Sequence, residues 1–135
     1  MNLNQVTVPT TDLARSIEFY RRLGLLLIVS DPPDYARLER SDGAATFSVH
    51  RTETQPAVNG PVICFEAANL DTLYAKLCSR GIRFDSPPTD QPWLWREASL
   101  RDPDGNTLCL LSADRNRGHP PWRLQPPETT YLIDR

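Results

Sequence analysis

The chain has little cysteine, little histidine, no long apolar run and no excess of positive charge. Its three cysteines, Cys64, Cys78 and Cys109, are odd in number, widely spaced and without a CxxC pair. That usage argues against a disulfide framework and for reduced thiols in a cytoplasmic setting. No apolar stretch approaches the roughly 20 residues that cross a bilayer. The opening Met-Asn-Leu-Asn-Gln has neither the basic start nor the apolar run of a secretory signal. The expectation is a cytoplasmic chain with no membrane partner. A formal net charge of −2 at pH 7 argues against a nucleic-acid surface. No Ser-His-Asp set, Gly-rich phosphate loop or basic aromatic stripe is legible.

What is present is a repeat. Val6-Thr-Val-Pro-Thr-Thr-Asp-Leu-Ala-Arg-Ser-Ile-Glu-Phe-Tyr-Arg-Arg-Leu-Gly-Leu25 is echoed 57 residues later by Ile63-Cys-Phe-Glu-Ala-Ala-Asn-Leu-Asp-Thr-Leu-Tyr-Ala-Lys-Leu-Cys-Ser-Arg-Gly-Ile82. Asp12 falls on Asn69, Leu13 on Leu70, Ile17 on Tyr74, Tyr20 on Leu77 and Gly24 on Gly81. Two copies of one supersecondary unit are implied, with function between them. At 135 residues and 39% hydrophobic content, one compact domain with a sizeable core is expected.

In the first copy, residues 3–9 read as a strand. Thr11 or Asp12 can cap the helix that follows, because a short polar side chain accepts from free first-turn amides. Leu13, Ile17 and Tyr20 make one buried stripe and Gly24 ends the helix. Leu25–Val29, Tyr35–Glu39 and Ala45–His50 read as strands, separated by Asp31-Pro-Pro and Ser41-Asp-Gly turns. In the second copy, Val62–Ala67 is a strand and Asn69 a cap. Leu70, Leu73, Tyr74 and Leu77 form the helix stripe, which Gly81 closes. Ile82–Asp85, Leu94–Arg101 and Thr107–Leu111 are the strands. Asp102-Pro-Asp-Gly105 has the residue choice of a type I turn. The expected fold is α+β: two βαβββ modules, residues 3–52 and 60–112. Thirteen prolines is a high count. Those in His119-Pro-Pro-Trp and Gln125-Pro-Pro make residues 113–135 an irregular arm, lying on the surface or on a partner.

The first-copy motif, followed late in the chain by Arg101-Asp-Pro-Asp-Gly-Asn-Thr-Leu, resembles the vicinal oxygen chelate superfamily. This is the group of glyoxalase I, bleomycin resistance proteins and extradiol dioxygenases. The likeness covers about residues 3–112. It implies two modules whose sheets form an open cup, and commonly a homodimer with cups built from modules of two chains. In metal-using relatives, His, Glu or Gln ligands come from the first and last strands of each module. Those places hold Gln5, Ser48, Val62 and Cys109 here. Gln5 is an acceptable ligand, Ser48 a poor one, and Val62 cannot ligate. Cys109 could ligate as thiolate. A catalytic site wants about three protein ligands and an open position, so no cofactor is favoured, with a divalent metal kept open.

Strand alternation then sets what faces the cup. Gln5 brings Thr7, Ser48 brings Thr46 and His50, Val62 brings Cys64 and Glu66, and Cys109 brings Thr107 and Leu111. Trp93, Trp95 and Glu97 share a face near the cup rim, where aromatics with one carboxylate can stack on a planar or cationic ligand. The candidate binding residues are therefore Gln5, Thr7, Ser48, His50, Cys64, Trp93, Trp95 and Cys109. The leading expectation is a metal-independent binder of a small organic molecule. Two alternatives stay open: a metal-dependent lyase or dioxygenase with an atypical ligand set, and a metal-free isomerase-type enzyme using Glu97 or His50 as base. Trp122 in the arm is either a lid or a surface anchor.

Overall fold

Each copy of the repeat folds as a strand, a helix and three more strands. The computed structural model describes residues 1–56 and 58–125. The first module contains β1 (Gln5–Thr10), α1 (Leu13–Leu23), β2 (Leu26–Asp31), β3 (Tyr35–Glu39) and β4 (Thr46–Arg51). The second contains β5 (Ile63–Glu66), α2 (Leu70–Ser79), β6 (Ser86–Asp90), β7 (Arg96–Arg101) and β8 (Thr107–Ser112). The helices begin where capping chemistry puts them. The Asp12 carboxylate accepts from the Arg15 amide, and the Asn69 side chain from the Thr72 amide, both at 3.1 Å. Gly24, at φ +113°, ends α1 in the left-handed conformation and returns its amide to the Arg21 carbonyl.

The first sheet has the order β1-β4-β3-β2 and the second β5-β8-β7-β6. In both, the first strand of the module runs parallel to the last, and the other neighbours are antiparallel. The architecture is thus the α+β pair of βαβββ modules that the repeat implies, with one four-stranded mixed sheet per module.

Several strand boundaries differ from the sequence reading, two of them for a visible reason. The strand expected at Ile82–Asp85 lies at Ser86–Asp90. Ile82 instead turns into the core, at 5% exposure. Pro87 and Pro88 are tolerated because β6 is an edge strand whose register with β7 shifts between Ser86 and Thr89. The strand expected from Leu94 begins only at Arg96, because Leu94 donates its amide to the Gln91 carbonyl in a turn and sits at φ +66°. Among the described residues of the arm there is one short 3₁₀ turn, Asp114–Arg117, and Trp122 is exposed. The prolines after Gln125 lie outside the described residues.

The helix-covered faces of both sheets share one core. Val8, Tyr20, Leu38, Phe47 and Val49 of the first module pack in one cluster with Leu70, Leu77, Leu100, Leu108 and Leu110 of the second. Phe47 bridges the two, its ring 4.5 Å from Tyr20 and 5.7 Å from Phe65. Burying such side chains is worth ~1.5–3 kcal/mol each.

The Asp-Pro-Asp-Gly turn is the second tie between modules. Asp102 accepts from the Tyr20 hydroxyl at 2.7 Å, from the amides of Asp104 and Asn106, and from the Asn106 side chain. Asp104 accepts from the Thr10 hydroxyl at 2.5 Å, from the Thr11 amide and hydroxyl at 2.9 Å, and from Arg15 at 3.0 Å. Both carboxylates are buried and both are satisfied, so the turn latches the β7–β8 connection to the start of α1.

Candidate functional site

With alternate residues of each strand committed to the core, the others form an open face on the side away from the helices. On the first sheet, Thr7 and Ser48 are register partners whose hydroxyls lie 2.6 Å apart. Gln5 is paired with Thr46, whose hydroxyl donates to Gln5 Oε1 at 2.9 Å. Arg37 stands opposite Ser48, and Tyr35 opposite His50. Arg37 Nε donates to the Tyr35 hydroxyl at 3.1 Å, and its guanidinium carbon lies 5.5 Å from the Tyr35 ring centre. Tyr35 and Arg37 were not singled out from the sequence. Their strand was legible, but its face could not be assigned without its register against Ser48.

This face has a chemical bias. Burial alone would raise the Tyr35 phenol; the side chains of Ser48, Arg37 and Gln5 outweigh it and hold the phenol below the usual tyrosine value. Among the described residues, Arg37 has no carboxylate in ion-pair range. A guanidinium, a phenol and the Thr7 hydroxyl converge on one patch, with the fully buried Ser48 bonded to Thr7 from within, and this suits an oxyanion of a ligand.

The second sheet is different. Cys64 and Cys109 are register partners on β5 and β8. Ser99 stands opposite Cys109, and Glu97 opposite Leu111. Trp95 packs against Cys109, Leu111 and Ala113, and its indole N–H reaches the Asn116 carbonyl at 3.5 Å. Trp93, half exposed, donates its indole N–H to Glu97 at 2.6 Å. Glu66 pairs with Arg117 at 3.3 Å. Burial pushes the Cys109 thiol up to about 12, and Cys64 and Glu97 add to the effect. At neutral pH it is a protonated, core-like thiol.

The four family ligand positions therefore fall into two groups. Gln5 and Ser48 lie on the first open face, while Cys109 and the strand that follows Val62 lie on the second. No hydrogen bond or ion pair among the described residues joins the two faces. The donor chemistry does not fit a catalytic metal. The Gln5 oxygen and the Ser48 hydroxyl are engaged with neighbours, Val62 has no donor, and Cys109 belongs to the other sheet. Among the described residues, no group of three or more His, Cys, Asp or Glu side chains is placed to hold a metal ion.

Two hollows mark the seam between the modules: an open groove of about 820 Å³ along α1, Leu26 and Arg80, and one of about 240 Å³ between Leu23, Arg40, Phe65 and Leu73. Neither includes any of the candidate binding residues.

Two duplicated βαβββ units, sharing a core on their helix sides and each presenting a second face away from the helices, define the class of paired-module cup proteins. The chain belongs to the Glyoxalase/Bleomycin resistance protein/Dioxygenase superfamily, whose model matches residues 2–110. It is similar to a glyoxalase/bleomycin resistance protein/dioxygenase from Nocardioides, at 26% identity and TM-score 0.75 over 93% of this chain and 90% of that one. The bleomycin resistance determinant encoded on transposon Tn5 shares 24% identity at TM-score 0.71, over 84% of this chain and 99% of that one. A bleomycin-binding protein solved with bleomycin shares 24% identity at TM-score 0.69, over 83% and 98%. At those identities the last two speak for the fold alone. No curated protein sequence matches the chain. No helix among the described residues is long and apolar enough to cross a membrane.

Proposed function

We propose that this chain is a small-molecule binding protein that holds an organic acid in its cup without a catalytic metal. The observation that carries the reading is the Arg37–Tyr35–Ser48–Thr7 patch. It offers a cation and hydrogen-bond donors on an open face, while the positions that would hold a metal carry an amide, a hydroxyl, an alkyl group and a thiol on the other sheet. The opposite wall would be the second open face, where Trp93, Trp95 and Glu97 suit a planar or cationic portion of the same ligand. Gln5, His50, Cys64 and Cys109 complete the proposed lining.

Because the helix sides of both sheets share one core, the two open faces do not meet within the described contacts of one chain. The first face of one chain is proposed to meet the second face of another, giving a homodimer with two cups. Three unbridged cysteines suit a cytoplasmic protein.

The test is a thermal-shift panel of small aromatic carboxylates against wild type and Arg37→Ala. A bound ligand stabilises the native state by mass action. A melting rise in wild type that Arg37→Ala loses is the expected result. Equal rises in both proteins would remove Arg37 from the site. Incubation with Zn²⁺, Ni²⁺, Fe²⁺ or Mn²⁺ followed by dialysis should leave metal well below one per chain; stoichiometric retention would overturn the metal-free reading.

A second reading is a metal-free enzyme. It is favoured by one observation, the acidified Tyr35 phenol opposite His50, which could transfer a proton. Tyr35→Phe separates the two: in a binder the change shows only in affinity, whereas in an enzyme turnover falls beyond any change in affinity.

A further inference from the structure

We infer that Cys64 and Cys109 form a reversible dithiol–disulfide couple on the open face of the second sheet. The two residues are direct register partners on neighbouring parallel strands, and both side chains leave the sheet on the same side. Their strand neighbours Ile63, Phe65, Leu108 and Leu110 all pack in the core, which fixes that orientation. Paired strands run about 4.8 Å apart, inside the roughly 4.4–6.8 Å between α-carbons that a disulfide spans. Parallel side chains at that spacing start with their β-carbons farther apart than the roughly 3.8 Å a relaxed bridge prefers. Closing the bond must draw β5 toward β8. β5 is a four-residue edge strand held by β8 alone, so it is the element best able to yield. A bridge made under such tension is readily reduced, which makes the pair a switch rather than a staple.

The two thiols differ in access, and that sets their roles. Cys64 is exposed and Cys109 is buried. Hydrogen peroxide oxidises the Cys64 thiol by two electrons to a sulfenic acid, and the peroxide is reduced to water. The Cys109 sulfur then attacks the Cys64 sulfur. The S–O bond breaks, the S–S bond forms, and the hydroxyl leaves as water with the Cys109 proton. Glu97, on β7 and diagonal to Cys109, is the carboxylate nearest in register to relay that proton. An external dithiol reverses the bond by exchange. Oxidation would join two lining residues of the proposed cup, but the inference stands on one chain and does not rest on the proposed ligand.

The experiment uses Cys78→Ser, which removes the remaining thiol from the exposed side of α2 and leaves the pair intact. The folded variant is treated with a modest excess of hydrogen peroxide, then unfolded and alkylated. The expected result is a mass lower by two hydrogens, no alkylation at either cysteine, and a non-reduced digest linking the Cys64 and Cys109 peptides. Dithiothreitol should restore both alkylation sites. Adding Cys64→Ser should abolish the link, and adding Cys109→Ser should leave a Cys64 sulfenic acid that dimedone traps. Oxygen addition at Cys64 with Cys109 still free would overturn the inference. So would a bridge between two chains, or failure of both thiols to react.

Discussion

The Cys109 and Tyr35 side chains are held in opposite directions from their ordinary acidities, and each gives a direct test. Cys109 is 7% exposed and its thiol is pushed up to about 12, first by burial. Alkylation of the native, reduced protein should therefore modify Cys64 and Cys78 quickly and reach Cys109 only as fast as the fold opens. Peptide mapping over time reads this, and early labelling of Cys109 would contradict its burial. Tyr35 is the reverse case. Its folded value is depressed, because Ser48, Arg37 and Gln5 outweigh the effect of burial. Above the ordinary value of about 10, ionised Tyr35 stabilises the fold, and that contribution is lost as pH falls through the folded value. Spectroscopic titration should show one tyrosinate forming early in wild type and missing in Tyr35→Phe. Tyr20, raised first by burial and then by the Asp102 charge, should stay protonated until the protein unfolds. Tyr20 is legible in the sequence as part of a buried helix stripe, whereas the face of Tyr35 is not. What separates them is register: Tyr35 lies across from His50 on an open face, and Tyr20 points at a turn 82 residues away.

At the scale of elements, the turn between β7 and β8 is the piece whose removal should cost most. Asp104 gathers four donors from the end of β1, the residue after it and the first turn of α1, with its side chain wholly buried. Asp104→Ala strips the acceptors from the Thr10 and Thr11 hydroxyls and should destabilise the protein by about 3 kcal/mol, from one or more lost charge-assisted bonds and stranded buried donors. Asp104→Asn keeps one acceptor and should cost less. Urea unfolding measures both, and an Asp104→Ala change under ~1 kcal/mol would show that the modules do not depend on the latch. The helices were the most legible elements, because caps and terminators are local chemistry: Asp12, Asn69 and Gly24 each act on amides or carbonyls within a few residues. β3 was equally plain from its alternation. β6 was misplaced because Ser86-Pro-Pro-Thr-Asp has poor strand chemistry and exists only as a bulged edge on β7, a partner found after it in the chain. The Asp-Pro-Asp-Gly segment was readable as a turn. Its work as a latch was not, since that depends on Thr10 and Tyr20 meeting it across the module boundary.

At the scale of the whole molecule, the shared core forces a question of assembly. One chain spends the helix side of both sheets on itself, and each open face is then left as a single wall. A single wall cannot surround a ligand. Apolar side chains beside these walls are exposed as well: Leu26, Ile28 and Val29 on edge strand β2, and Val62 and Trp93 near the second face. An unpaired edge carrying such residues is a docking surface or a liability. A closed homodimer with two-fold symmetry resolves both at once, since each first wall meets a second wall. Light scattering should then give twice the 15.3 kDa chain mass, and Ile28→Lys should shift the protein toward monomer. Mass alone does not show that a cup spans two chains, but mixed variants do. Arg37→Ala damages the first wall and Trp93→Ala the second, on which the ring of an aromatic carboxylate would stack. In a mixed dimer of the two, one cross-chain cup carries both defects and the other carries none. Unfolding and refolding the two proteins together should therefore restore carboxylate binding that neither has alone. If each cup lay within one chain, every cup would keep one defect and no binding would return.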